Sequence, residues 1–154
     1  MQEITLEQVL LFRAGSCGCA IPVSHIVETM RPLPIEPLAG LPPFVKGVSV
    51  IRGVATPVVD LGMLLSGRDH APVTRFITLK AGGRQVALGV ESVAGVARLD
   101  DSKFEALPPL LGNSEAGAVG SIGALDGRLL LVLRAGRVVP EEVWTRLAGA
   151  EPAP

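Results

Sequence analysis

Tyrosine is absent from this chain and histidine occurs only twice, at His25 and His70. Neither histidine lies in a nucleophile or metal motif, so general acid-base chemistry has little to work with, and the chain is read as no enzyme. An excess of positive charge is also missing. Lys and Arg number 14 against 15 Asp and Glu, for a net charge of -1 and a pI near 6.1. No basic field exists to neutralise a run of phosphates or to hold an anionic membrane, which excludes nucleic acid as an expected partner. Long apolar runs are lacking as well: the longest charge-free stretch, Ala14 to Val27, is broken by Gly, Ser, Pro and His and is too short to span a bilayer. The start Met1-Gln2-Glu3 does not supply the basic, then apolar, opening of a secretory signal, so a cytoplasmic protein is expected.

Cysteine is confined to Cys17 and Cys19, separated only by Gly18. That spacing strains an intramolecular disulfide, and two thiols with His25 nearby fall short of the four ligands of a closed zinc site. The pair reads as reduced thiols, with Cys19 a small buried strand residue and Cys17 in the turn before it; no metal and no other cofactor is expected.

What is abundant is hydrophobic residues, 48% of 154, punctuated by 18 Gly and 13 Pro. This composition favours one folding unit, residues 1–154, of β structure with many turns. The chain also repeats itself. At an offset of 67, Phe12-Arg13-Ala14-Gly15 falls on Leu79-Lys80-Ala81-Gly82 and Cys19-Ala20-Ile21 on Val86-Ala87-Leu88, while Gly47 and Gly53 fall on Gly120 and Gly127 at slightly larger offsets. Two similar halves are expected, about 6–70 and 74–139, each beginning strand, glycine turn, strand and ending in a glycine-turned hairpin.

In the first half, strands are expected over 8–14 and 19–23, followed by a short helix whose face carries Val23, Ile26, Val27 and Met30 behind a Ser24 cap. Five prolines between Pro32 and Pro43 predict a stiff surface connector. Phe44–Ile51 and Val54–Asp60 flank Arg52-Gly53 as a hairpin, with Pro57 placing the second strand at an edge or a bulge. In the second half, strands are expected over Thr74–Lys80 and Gln85–Val90, a short one over Val96–Leu99, then a long irregular loop over Asp100–Gly117. Asp126-Gly127 joins Val119–Leu125 to Arg128–Leu133, and the run Leu129 to Leu133, apolar on both faces, predicts a strand at the centre of the core. A helix is expected from Pro140 through Leu147, before a tail ending at residue 154.

Most chemistry-like patterns have structural readings. Gly117 to Gly123 lacks the Gly-Lys-Ser/Thr ending of a phosphate loop and reads as the start of a strand. Asp60 and Asp126 sit at strand ends or turns, where Asp bonds the local backbone. His25 reads as a surface or rim residue beside the apolar pair Ile26-Val27. Arg52 tops a hairpin near Lys46, either as a solvated turn residue or as an anchor for a partner surface or a buried carboxylate.

The segment Phe44 to Leu61, FVKGVSVIRGVATPVVDL, resembles the signature of the CheW family of chemotaxis coupling proteins. Ala20-Ile21-Pro22-Val23, Ile26-Val27-Glu28, Val86 to Glu91 and Gly120-Ser121-Ile122-Gly123 resemble the family in the same order, so the likeness spans about residues 6 to 139. The resemblance implies a mainly β fold of two similar, interlocked, SH3-like five-stranded barrel halves with short helices. It further implies a non-enzymatic adaptor coupling the cytoplasmic tips of chemoreceptors to the regulatory domain of a CheA-type histidine kinase, recruited to receptor arrays at the inner face of the membrane. By position, Ile26, Val27, Val86, Arg52, Lys46 and Gly47 become receptor-binding candidates and Ile35 a kinase-binding candidate. Val50-Ile51 replaces the family's Asn-Leu, and Cys19 stands where an aromatic is common, so a pilus-motility or surface-sensing pathway stays open. Two other classes compete: a ligand-sensing β-barrel domain, which needs a concave pocket with convergent polar groups, and a cysteine enzyme, which needs a thiol of lowered pKa beside His25.

Overall fold

The computed structural model describes residues 6–67, 72–100, 105–106 and 118–149. His70, most of the expected 100–117 loop and the tail beyond 149 lie outside the described residues. Eleven strands run β1 (Leu6–Ala14), β2 (Cys17–Pro22), β3 (Ile26–Met30), β4 (Val45–Ile51), β5 (Val54–Asp60), β6 (Arg75–Ala81), β7 (Arg84–Val90), β8 (Ser92–Asp100), β9 (Glu105–Ala106), β10 (Val119–Leu125) and β11 (Arg128–Leu133). Two helices, α1 (Leu61–Ser66) and α2 (Glu141–Gly149), and two 3-10 turns, Val23–His25 and Ala135–Arg137, complete the described elements.

The expected halves exchange strands. One sheet has the order β8-β1-β2-β11-β10-β9 and the other β3-β6-β7-β5-β4, so the opening pair of each half lies beside the closing hairpin of the other. The joints are parallel, β2 with β11 and β5 with β7, whereas the hairpins are antiparallel. The fold is thus mainly β and built of two interlocked units, with two-residue β9 extending one sheet to six strands.

The offset of 67 reappears in the packing. Leu10, Phe12, Cys19 and Ile21 meet Ile77, Leu79, Val86 and Leu88, their counterparts, in the main core between the sheets. Satellite clusters lie around Val9 and Ala20 on one side and around Phe76 and Ala87 on the other, again pairs at that offset. Each fully buried Phe, Leu or Ile side chain contributes about 1.5–3 kcal/mol by leaving water, and Cys19, wholly buried, acts here as a small apolar residue opposite Val86.

Three expectations are corrected. The helix over Val23 to Met30 is a single 3-10 turn followed by β3, and Ser24 makes no cap, because Pro22 precedes the turn. Ile26, Glu28 and Met30 alternate as half-buried residues along β3, which pairs with β6, and β-branched Ile and Val suit that arrangement. The short strand expected over Val96–Leu99 is the nine-residue β8, which begins at Ser92. Finally, β11 is interior in its sheet but not at the centre of the core: Leu130 and Leu133 are buried while Leu129 is 63% exposed.

A fourth expectation fails, since Pro57 marks neither an edge strand nor a bulge. β5 is an interior strand, yet its ladder with β7 begins only at Val58, so Pro57 pairs with Val48 on one side alone and no donor is missed on the other. Asp60 ends β5 and caps α1, its Oδ1 accepting from the Met63 amide at 3.2 Å; Gly67 closes the helix in the left-handed conformation.

Candidate functional site

β3 and β4 are the two edges of the five-stranded sheet, and the proline-rich connector between them is laid against β4. Glu36 and Val48 exchange both backbone hydrogen bonds at 2.8 and 2.9 Å, and the buried Ser49 hydroxyl donates to the Pro34 carbonyl at 2.7 Å. An edge covered in this way offers fewer free donors to stray strands. Gly47 makes the approach possible. It lies at a register shift in β4 with φ of 144°, and an added Cβ would fall inside contact distance of the Glu36 carbonyl and 2.9 Å from Pro37 Cα.

At the far end of the same seam stands Arg52. The Arg52-Gly53 pair forms the tight turn between β4 and β5 with φ of 49° and 78°, the left-handed geometry that Asp126-Gly127 repeats with 53° and 78° between β10 and β11. From this tip the guanidinium reaches β3, where Nε donates to Glu28 Oε2 at 2.6 Å and Nη2 to Oε1 at 2.9 Å. The Thr78 hydroxyl on β6 accepts from the Glu28 amide and donates to its carbonyl, both at 3.2 Å, so Glu28 is held by backbone as well as side chain. Arg52 holds the Glu28 carboxyl below its usual range, and Glu28 raises the guanidinium in turn. The side chain of Arg52 is 76% exposed and engages a carboxylate in a forked pair, though not the buried carboxylate that the sequence reading offered.

Around this pair the surface is apolar. Val27 precedes Glu28 and is 44% exposed; Val50 and Val54 flank the turn at 68% and 46%. Val27 is the chain neighbour of Glu28, the carboxylate that Arg52 engages, and Ile26 is half-buried against the main core. Lys46 and Gly47 lie at the other end of β4, where Lys46 Nζ comes within 3.9 Å of Met63 Sδ on α1 and Gly47 is buried. Ile35 packs half-buried against the cluster of Ile51, Val58, Phe76 and Ala87. Val86 is 1% exposed in the main core, so it positions β7 rather than presenting a contact. Glu28, Val50 and Val54 were not among the sequence candidates. Val-Ile-Arg-Gly-Val signals exposure only once the turn fixes which side chains point outward, and the partner of Arg52, 24 residues away, leaves no trace in local spacing.

A second concavity, of about 990 Å³, opens in the six-stranded sheet between the β1–β2 and β10–β11 turns, lined by Leu11, Leu125, Leu129 and Leu131 with Arg13 and Arg128. Cys17 and Cys19 border it. Burial pushes the Cys19 thiol up to about 12, the reverse of an activated nucleophile. Among the described residues no group of three or more His, Cys, Asp or Glu could hold a metal, and no helix is long and apolar enough to cross a membrane.

The CheW-like domain family matches residues 8–143. The chain belongs to the CheW-like family. Among its relatives, the chemotaxis protein CheW of Rhizobium meliloti is 24% identical over 88% of this chain and 89% of its own length. Protein FrzA of Myxococcus xanthus is 30% identical over 71% of this chain and 69% of its own length. In structure, the scaffolding protein TtCheW from Thermoanaerobacter tengcongensis superposes with a TM-score of 0.73, covering 84% of this chain and 90% of that one at 20% identity, which carries the fold. Arg52, Glu28 and the covered seam thus belong to a CheW-like fold, and the matched span contains every candidate contact residue.

Proposed function

We propose that this CheW-like chain is a non-enzymatic adaptor that couples chemoreceptor tips to the regulatory domain of a CheA-type histidine kinase, working in the cytoplasm at receptor arrays. The observation that carries the reading is the family match over residues 8–143, joined by relatives named as chemotaxis protein CheW. The surface around Arg52 and Glu28 supports it physically. Exposed valines beside a forked ion pair offer a partner helix apolar burial and a charge pattern to match. In this reading Val27, Arg52 and their neighbours Val50 and Val54 touch receptor, Ile26 and Val86 support the strands from the core, Lys46 and Gly47 hold the other end of β4, and Ile35 positions the connector that faces the kinase.

Titration of the purified chain with the isolated regulatory domain of a CheA-type kinase from the same organism, read by calorimetry, tests the proposal. Saturable one-to-one binding is expected; absence of binding to any such domain overturns the adaptor role. The match to FrzA, a relative carrying another name, supports a second reading in which the same coupling serves a chemosensory circuit other than flagellar chemotaxis. Ligand sensing would use the 990 Å³ concavity, and there small-molecule heats would replace those of the kinase domain.

A further inference from the structure

On the edge of the molecule where β6 and β7 turn, the fold gathers basic side chains. Ile26 pairs with Leu79, so the residues that adjoin them in the chain, His25 in the 3-10 turn and Lys80 in β6, come to the same end of the sheet, where Ala81 pairs with Arg84. These three side chains line a cavity of about 500 Å³ whose other wall is the Ala135–Arg137 turn, buried Val139 and the first turns of α2. Arg84 is already committed. It lies 4.9 Å from the Trp144 ring centroid and donates to Glu141 Oε1 at 2.7 Å, which fixes the guanidinium as one wall of the cavity. Lys80 and His25 face the same space, and among the described residues no carboxylate pairs with either. One unpaired cation, Lys80, and the ring donor of His25 thus meet one neutralised pair in a chain whose net charge is -1.

The lining mixes the apolar surface of Trp144, Ala81 and Ala135 with the unpaired ammonium of Lys80 and the ring donor of His25, a combination that suits a short aliphatic stem ending in an anion. We propose that this cavity is a docking site for an acidic peptide segment of a partner protein, with a Glu side chain laying its stem on Trp144 and Val139 and its carboxylate between Lys80 and His25. The inference rests on the adaptor reading only in that the occupant is a protein segment. Its test needs neither kinase nor receptor, so the two stand or fall separately.

Trp144 is the only tryptophan and the chain has no tyrosine, so intrinsic fluorescence reports on the cavity wall directly. Titrating the full chain with a capped hexaglutamate peptide at low salt should give a saturable change in Trp144 emission. Lys80→Glu, an exposed substitution, should weaken that titration about fivefold to tenfold, as should Lys80→Gln by a smaller factor, with far-UV circular dichroism unchanged. A capped hexalysine peptide should give no saturable change. No response of the natural chain to hexaglutamate, or the same affinity in Lys80→Glu, overturns the proposal. Equal saturation by inorganic phosphate at matched ionic strength overturns its peptide part and leaves a general anion site.

Discussion

Arg52 and Glu28 are joined by two hydrogen bonds of 2.6 and 2.9 Å across 24 residues of chain, and they tie the tip of the β4–β5 hairpin to β3, the strand at the opposite edge of the same sheet. Arg52 makes this bond from a left-handed backbone conformation, which costs a side-chain-bearing residue about 1–2 kcal/mol. Asparagine tolerates that conformation better and cannot form the fork. Arg52→Asn should therefore keep or slightly raise the urea midpoint while weakening partner binding in calorimetry, and a fall in both together would mean that the arginine serves stability alone.

The same pair gives acid sensitivity of a definite sign. Because Arg52 holds the Glu28 carboxyl below its ordinary value, the pair's contribution is complete above the usual glutamate range and is lost as pH falls through the lowered value in the folded chain. Thermal melts of the natural chain and of Glu28→Gln should differ by a constant margin near neutrality. The margin should shrink on acidification below the usual carboxylate range. A margin unchanged by acid would contradict the ion pair.

The hairpins were legible in the sequence because Arg52-Gly53 and Asp126-Gly127 announce themselves by turn chemistry, and the duplication because buried positions such as Phe12 and Leu79 recur at one offset. β3 was not. Its five residues carry apolar side chains at spacings that fit a helix equally well, and only pairing with β6, fifty residues on, selects the strand. α1 was missed because six residues give no period, although Asp60 and Gly67 cap it as expected of those residue types. The site was half legible: Arg52 stood out as a cation on a turn, while Glu28 and the exposure of Val50 depend on how the strands close, which is a tertiary property.

Gly47 offers a test of the covered seam. In Gly47→Ala the new methyl would press on the Glu36 carbonyl and lie 2.9 Å from Pro37 Cα, both of them backbone, at a φ that disfavours side chains. The connector must then leave β4, which breaks the two Glu36–Val48 hydrogen bonds. Destabilisation of about 2–4 kcal/mol is expected in urea unfolding, against less than about 0.5 kcal/mol for Gly53→Asn, whose position is open to solvent and favours a turn residue.

The thiols should behave unequally. Cys17 is half-buried at the edge of the concavity, whereas Cys19 is fully buried with its thiol pushed up to about 12, so thiolate is scarce there near neutral pH. Iodoacetamide at pH 8 followed by intact mass should add one label to the native chain and two after denaturation. Rapid double labelling of the folded chain would place Cys19 in a different environment.

Val86 separates a surface contact from a core support. Its side chain is 1% exposed and packs among Cys19, Leu79 and Leu88, so Val86→Ala should cost about 1–3 kcal/mol of stability through lost burial and the small cavity left behind. Val50, 68% exposed at the turn, reverses the balance: Val50→Lys removes an apolar contact without disturbing the core, so the change in stability should stay within about 0.5 kcal/mol. If the valines around Arg52 meet a partner, Val50→Lys weakens binding at full stability, and Val86→Ala binds normally under conditions where it is fully folded. Normal binding by Val50→Lys together with weakened binding by folded Val86→Ala would move the contact surface away from the Arg52 turn and toward the groove between the two sheets.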